Sequence, residues 1–263
     1  MIRRRHLFPL LLGSAVARAE VTTSLQLVLA VDASGSVDAY RFKLQKDGYA
    51  AAFRSPAIRS AIRNTLTGSI AVTMLQWTGP AMHVVAVPWT LIDTDSAIEA
   101  FAAAIDRSQR ELFGGGTSIS GAIDFASTLF PLCPYPASRR VIDVSGDGAN
   151  NRGRPAQSAR DEAVAAGIII NGLPILALEP YLDDYYRDHV IGGPGSFLIA
   201  ARSYEAFARA IRSKLVTEIA GATLPLHPPG PPHAPRNILL ERVDDQRRRE
   251  GQSLLHVGHR LDL

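Results

Sequence analysis

Two brief apolar stretches of this chain each run into an aspartate, and that arrangement limits the available folds more than any other feature. Residues 24–31 (SLQLVLAV) and 140–145 (RVIDVS) are short and rich in branched aliphatic side chains, and they lead into Asp32 and Asp147. Strands covered on both faces read as such continuous apolar runs, whereas strands with one wet face alternate. Helical patterns separate these runs from others like them. Tyr40, Leu44, Ala51 and Ala52 lie near helical spacing and predict a helix over 39–54. Residues 69–77 and 82–92 read as strands joined by a tight Thr78-Gly79-Pro80 turn, an antiparallel hairpin at one sheet edge. Helices are expected over 96–110, from the glycine loop at 114–117 to about 130, and over 156–166. Strands are expected at 168–175 and, briefly, at 197–200. A closing helix at 204–219 would carry Tyr204, Phe207, Ile211, Leu215 and Ile219 on one face. The alternation implies an α/β fold. Its sheet would be doubly wound and mostly parallel, with helices on both faces and one antiparallel edge strand.

The ends of the chain differ in character from its middle. Arg3, Arg4 and Arg5, an apolar stretch at 7–16 and the small-x-small run Ala17-Arg18-Ala19 follow the order of an export signal, so residues 1–19 are expected to be removed. Removal takes four arginines and no acid, so 28 basic residues become 24 against 25 acidic ones, and the net charge of +3 falls to about −1. A nucleic-acid partner then loses its electrostatic basis. Residues 20–222 form the expected domain. Residues 223–263, proline-rich at the start and mixed in charge beyond, read as an extended tail. Cys133 is the single cysteine, which rules out an intramolecular disulfide, a cysteine zinc site and a lipid-anchoring cysteine after the leader. A periplasmic or secreted protein without a stable membrane anchor is the resulting expectation.

Three segments carry chemistry. Asp32-Ala33-Ser34-Gly35-Ser36 follows the first strand, Thr117 follows three glycines, and Asp147 follows the 140–145 strand. Every candidate side chain offers oxygen and none offers nitrogen or sulfur, the donor set of a hard divalent cation such as magnesium. In an open parallel sheet, ligands gather beyond the carboxyl ends of the strands, where strand order reverses. Asp32 and Asp147 occupy two such ends, and the common doubly wound order makes their strands neighbours.

Asp32-x-Ser34-x-Ser36, Thr117 and Asp147-Gly148, in that order, resemble the complete metal-ion-dependent adhesion site of von Willebrand factor type A domains. The resemblance spans about 24–220. The strings VIDVSGDGANN and INGLPI are also similar to an exported bacterial family of that class without an assigned function. The resemblance implies direct metal ligation by the hydroxyls of Ser34, Ser36 and Thr117, with Asp32 and Asp147 acting largely through coordinated water. It also implies magnesium as the ion, with manganese and calcium as alternatives. Neutral direct ligands leave the ion's charge poorly quenched, so its open vertex should attract an Asp or Glu of a protein partner.

Other readings compete. The two aspartates could cap the helices that follow them, and the glycines could cradle a phosphate. A metal-dependent phosphohydrolase would use Asp32 as nucleophile, but it would need a second acid where Ser34 stands. No GxSxG elbow supports a serine hydrolase. A structural subunit of an exported assembly, with the metal only ordering loops, is a third possibility. The expectation is a binding module and not an enzyme.

Overall fold

The computed structural model describes residues 21–221; the expected leader and the proline-rich tail lie outside them. Five strands form one sheet: β1 (Gln26–Asp32), β2 (Ile70–Trp77), β3 (His83–Ile92), β4 (Arg140–Gly146) and β5 (Ile169–Pro174). Their order is β3-β2-β1-β4-β5, and only the β2–β3 pairing is antiparallel. β3 is therefore the expected antiparallel edge strand. β1 lies between β2 and β4, so strand order reverses beside it.

Successive side chains of a strand face opposite sides of a sheet, and both sides of β1 are covered. Leu25, Leu27, Leu29 and Val31 pack beneath α1 (Ala39–Arg54), α2 (Pro56–Arg63), α3 (Asp95–Arg107) and α7 (Phe207–Ala220), against Tyr49, Phe53, Ile58, Phe101 and Ile211. Val28 and Ala30 face α4 (Ile119–Leu129) and α5 (Ala156–Ala165), against Ile123, Ala159 and Tyr186. Two apolar layers on one parallel sheet explain why β1 and β4 read as unbroken hydrophobic runs. α1 and α4 begin on side-chain caps: Asp38 accepts from Arg41 N at 2.8 Å and Ser118 accepts from Gly121 N at 3.1 Å.

The elements depart from the sequence reading at several places, three of them in the following ways. Residues 197–200 form no strand and make only isolated bridges, Gly172 to Leu198 and, one residue on, Ile175 to Ala201. α2, opened by Ser55 and Pro56, is an additional short helix. The closing helix starts at Phe207, not Tyr204, which frees the Tyr204 side chain from the helix face.

One buried cluster had no counterpart in the sequence reading. Lys214 of α7 is fully buried, with Nζ 2.6 Å from Asp143 Oδ1 of β4 and 3.3 Å from Glu218 Oε2. The Asp143 contact is a close charge pair lying off hydrogen-bond alignment. Asn171, opposite Asp143 in the β4–β5 register, donates from Nδ2 to Glu218 Oε1 at 2.8 Å. One ammonium thus serves two carboxylates in a buried layer, and burial holds the Asp143 carboxyl above its ordinary range.

Candidate metal centre

The three chemistry-bearing segments meet at the carboxyl edge of β1 and β4. The chain leaves β1 in a tight turn: Ser34 N donates to Asp32 Oδ1 at 2.6 Å, and Val37 N donates to Ser34 O at 3.0 Å. Ala33 N is held by Trp77 O at 2.9 Å, and Asp32 O accepts from Gln45 Nε2 of α1 at 3.1 Å. These bonds aim Ser34 and Ser36 the same way, and their Oγ atoms are 3.1 Å apart. Ser36 Oγ donates to Asp147 Oδ1 at 2.6 Å, which joins the first segment to the third.

Thr117 is fixed from the opposite direction. Gly114, Gly115 and Gly116 all take positive φ, at 80°, 89° and 81°, a path that side-chain-bearing residues rarely follow. Thr117 N then donates to Asn151 Oδ1 at 2.9 Å, and Thr117 O accepts from Asn151 N at 2.9 Å. Asn150 Oδ1 accepts from Ser120 N at 3.0 Å. Asn150 and Asn151 therefore clamp the Asp147 loop to the glycine loop and to the start of α4. Arg110 Nη2 adds a tie at 3.0 Å to the carbonyls of both Ala33 and Ser34. All five residues expected from sequence sit at this mouth. Contacts join Asp32, Ser34, Ser36 and Asp147 directly. Thr117 reaches the Asp147 loop through its backbone, and its Oγ1 lies 3.8 Å from where a Cβ on Gly148 would stand.

The electrostatics of the mouth are unbalanced. Asp32 is fully buried, and its Oδ2 has no hydrogen-bond partner among the described residues. Burial, followed by the charge of Asp147, pushes its carboxyl up to about 7. Asp147 is also buried, and both of its oxygens are occupied. Ser36 holds one, and Tyr204 OH donates to Oδ2 at 2.7 Å. Burial and the same carboxylate push the Tyr204 phenol far up, so it remains a donor. Arg41 Nη1 is the nearby cation, 3.9 Å from Asp147 Oδ2, but it donates at 2.6 Å to Ser36 O. Tyr204, read from the sequence as part of a helix face, and Arg41 were not expected at the site. They reach the site from the approach to α7 and from the first turn of α1, and no local pattern marks either as a site residue.

The donor set fits a hard cation. Among the described residues no three His, Cys, Asp or Glu side chains cluster as metal ligands, so hydroxyls would have to supply direct bonds. Adjacent ligands of an octahedral ion with bonds of about 2.0–2.1 Å lie about 2.9 Å apart, close to the 3.1 Å between Ser34 and Ser36 Oγ. The orphaned Asp32 oxygen and the two buried acids are what a divalent charge would satisfy.

The family described as a protein of unknown function, DUF1194, matches residues 22–223. The chain belongs to that family. No curated protein sequence matches this DUF1194 chain. Among solved structures it is similar to proximal thread matrix protein 1 from the mussel byssus, with a TM-score of 0.56 and 14% identity over 76% of this chain and 49% of that one. A form of that protein described as having a zinc-occupied MIDAS motif aligns at 0.53 and 14% identity, over 76% and 46% of the two chains. The pilus adhesin SpaC from Lactobacillus rhamnosus GG aligns at 0.55 with 15% identity, over 77% of this chain and 31% of that one. The chain thus spans less than half of each of these three solved chains. At such identities the likeness shows the fold alone, the mostly parallel, doubly wound α/β sheet described above.

Proposed function

We propose that this chain is an exported, divalent-metal-dependent protein-binding module, with Asp32, Ser34, Ser36, Thr117 and Asp147 holding magnesium. The observation that carries this reading is the connected set Ser34–Ser36–Asp147 beside the unpartnered, buried oxygen of Asp32. Hydroxyls would bind the ion directly, the aspartates would support it largely through water, and its open vertex would take a partner's Asp or Glu. The zinc-occupied motif of the byssus protein and the adhesin likeness support the same reading, as does the extracytoplasmic setting of both proteins. Among the described residues no helix is long and apolar enough to cross a membrane.

The phosphohydrolase reading fares worse. A nucleophilic carboxylate must be accessible and needs a second acid beside it, whereas Asp32 is fully buried and Ser34 stands where that acid would be. Magnesium titrated into the full chain and followed calorimetrically tests the proposal. Wild type should bind, with manganese and calcium as comparison ions, while Ser34→Ala and Thr117→Ala should bind much more weakly. Unchanged affinity in both variants would remove the site. Phosphatase turnover by the loaded protein would favour the enzyme. Stabilisation by magnesium without any chelator-sensitive protein partner would favour a structural subunit.

A further inference from the structure

The loop between β5 and α6 (Leu182–Tyr185) brings one more carboxylate to the centre. Glu179 is exposed, and its two Oε atoms accept from Ala149 N at 3.3 and 3.2 Å, long contacts for a charged acceptor. A Cβ on Gly148 would stand 3.3 Å from Glu179 Oε1 and 3.8 Å from Thr117 Oγ1. The two oxygens therefore border one small space and are no farther apart than those two distances laid end to end. Gly148 does not take a positive φ, so what its missing side chain contributes here is room. Thr117 is 6% exposed, and its hydrogen bonds among the described residues are all made by its backbone. A buried, unengaged hydroxyl and a flexible-stemmed carboxylate thus face the same gap, in the loop that Asp147 opens.

We infer that Glu179 is an internal ligand of this centre, supplying the carboxylate that an incoming partner must displace. The inference rests on the metal-dependent reading above. Its consequence is a pair of opposite effects. An anionic ligand quenches the ion's charge, so losing it weakens metal binding. The same ligand blocks the open vertex, so losing it strengthens binding of an external carboxylate, because apparent affinity is reduced by the fraction of sites that are closed.

The test uses the full chain carrying Glu179→Gln, with Glu111→Gln as a control. Glu111 is exposed on the segment leading to the glycine loop, so its loss removes the same charge from the same edge without touching Gly148. Magnesium affinity is read by calorimetry. Acetate is then titrated into magnesium-saturated protein and followed through the Gly148 and Ala149 amide resonances. Glu179→Gln should weaken magnesium by roughly tenfold, in the range of supporting-group losses at metal sites. It should also tighten acetate at least about twofold if Glu179 closes half the sites. Glu111→Gln should leave both near wild type. Equal behaviour of the two variants, or weaker acetate binding in Glu179→Gln, would overturn the inference and leave the metal site standing. Absence of magnesium binding by wild type would fell the underlying reading instead.

Discussion

Removing the Tyr204 hydroxyl isolates one outer support of the centre. Phe fills the same buried space, so Tyr204→Phe deletes only the donor that sits 2.7 Å from Asp147 Oδ2. That oxygen would keep Arg41, 3.9 Å away, as its nearest donor. A hydrogen bond to a charged acceptor contributes about 1.5–3 kcal/mol. At about 2–4 °C per kcal/mol for a domain of this size, the apo protein should melt several degrees lower. Metal affinity should fall too, since groups that orient metal-site carboxylates are worth roughly 10–100-fold. Tyr49→Phe is the matched control. Its hydroxyl is also buried but donates at 3.2 Å to the neutral Ser145 Oγ, so the expected loss is about 0.5–1.5 kcal/mol with no effect on magnesium. Thermal melts in chelator and magnesium titrations of both variants supply the two numbers. If Tyr204→Phe matches Tyr49→Phe in both, Asp147 does not depend on the approach to α7, and the link between that segment and the mouth is wrong.

Lys214→Ala should cost about 3–5 kcal/mol, because it strands Asp143 and Glu218 without their cation; a melting point within a degree or two of wild type would contradict the buried-pair account. The Asp32 carboxyl is raised from 3.8 to about 7 in the fold, so the folded state binds its proton more tightly and this group's contribution to stability declines as pH rises between those values. In chelator, wild type should therefore lose stability relative to Asp32→Asn from about pH 4 to about pH 7, and melts that stay parallel across that window would refute the assignment. Gly48→Ala gains helix propensity, yet its Cβ would stand 2.7 Å from Phe207 Cδ1 and 3.2 Å from Ala208 Cα. The net effect in urea unfolding should be a loss of about 1–3 kcal/mol, as overpacking between α1 and α7 requires.

The fold and the identity of the five candidate ligands were legible in the linear chain because each depends on local pattern. Apolar runs covered on both faces mark β1 and β4. Helical spacing marks the layers, and Asp32-x-Ser34-x-Ser36 brings its donors together within one turn. Where pattern is weak, the structure departs from it. Residues 197–200 are apolar enough for a strand but find only isolated bridges. Tyr204 fits the stripe of a helix that begins three residues later.

What the tertiary structure alone decided is which distant groups share a space. Tyr204 and Asp147 are 57 residues apart, and Asn171 and Glu218 are 47 apart. Asp143 reads in sequence as one polar residue within a strand, yet it faces a buried lysine because the β4–β5 register and the seat of α7 place both in one layer. Glu179 and Thr117 face one space because Gly148 carries no side chain to fill it. Residue type and period announce elements and donors, but electrostatic partners follow from packing, and packing is a property of the folded chain.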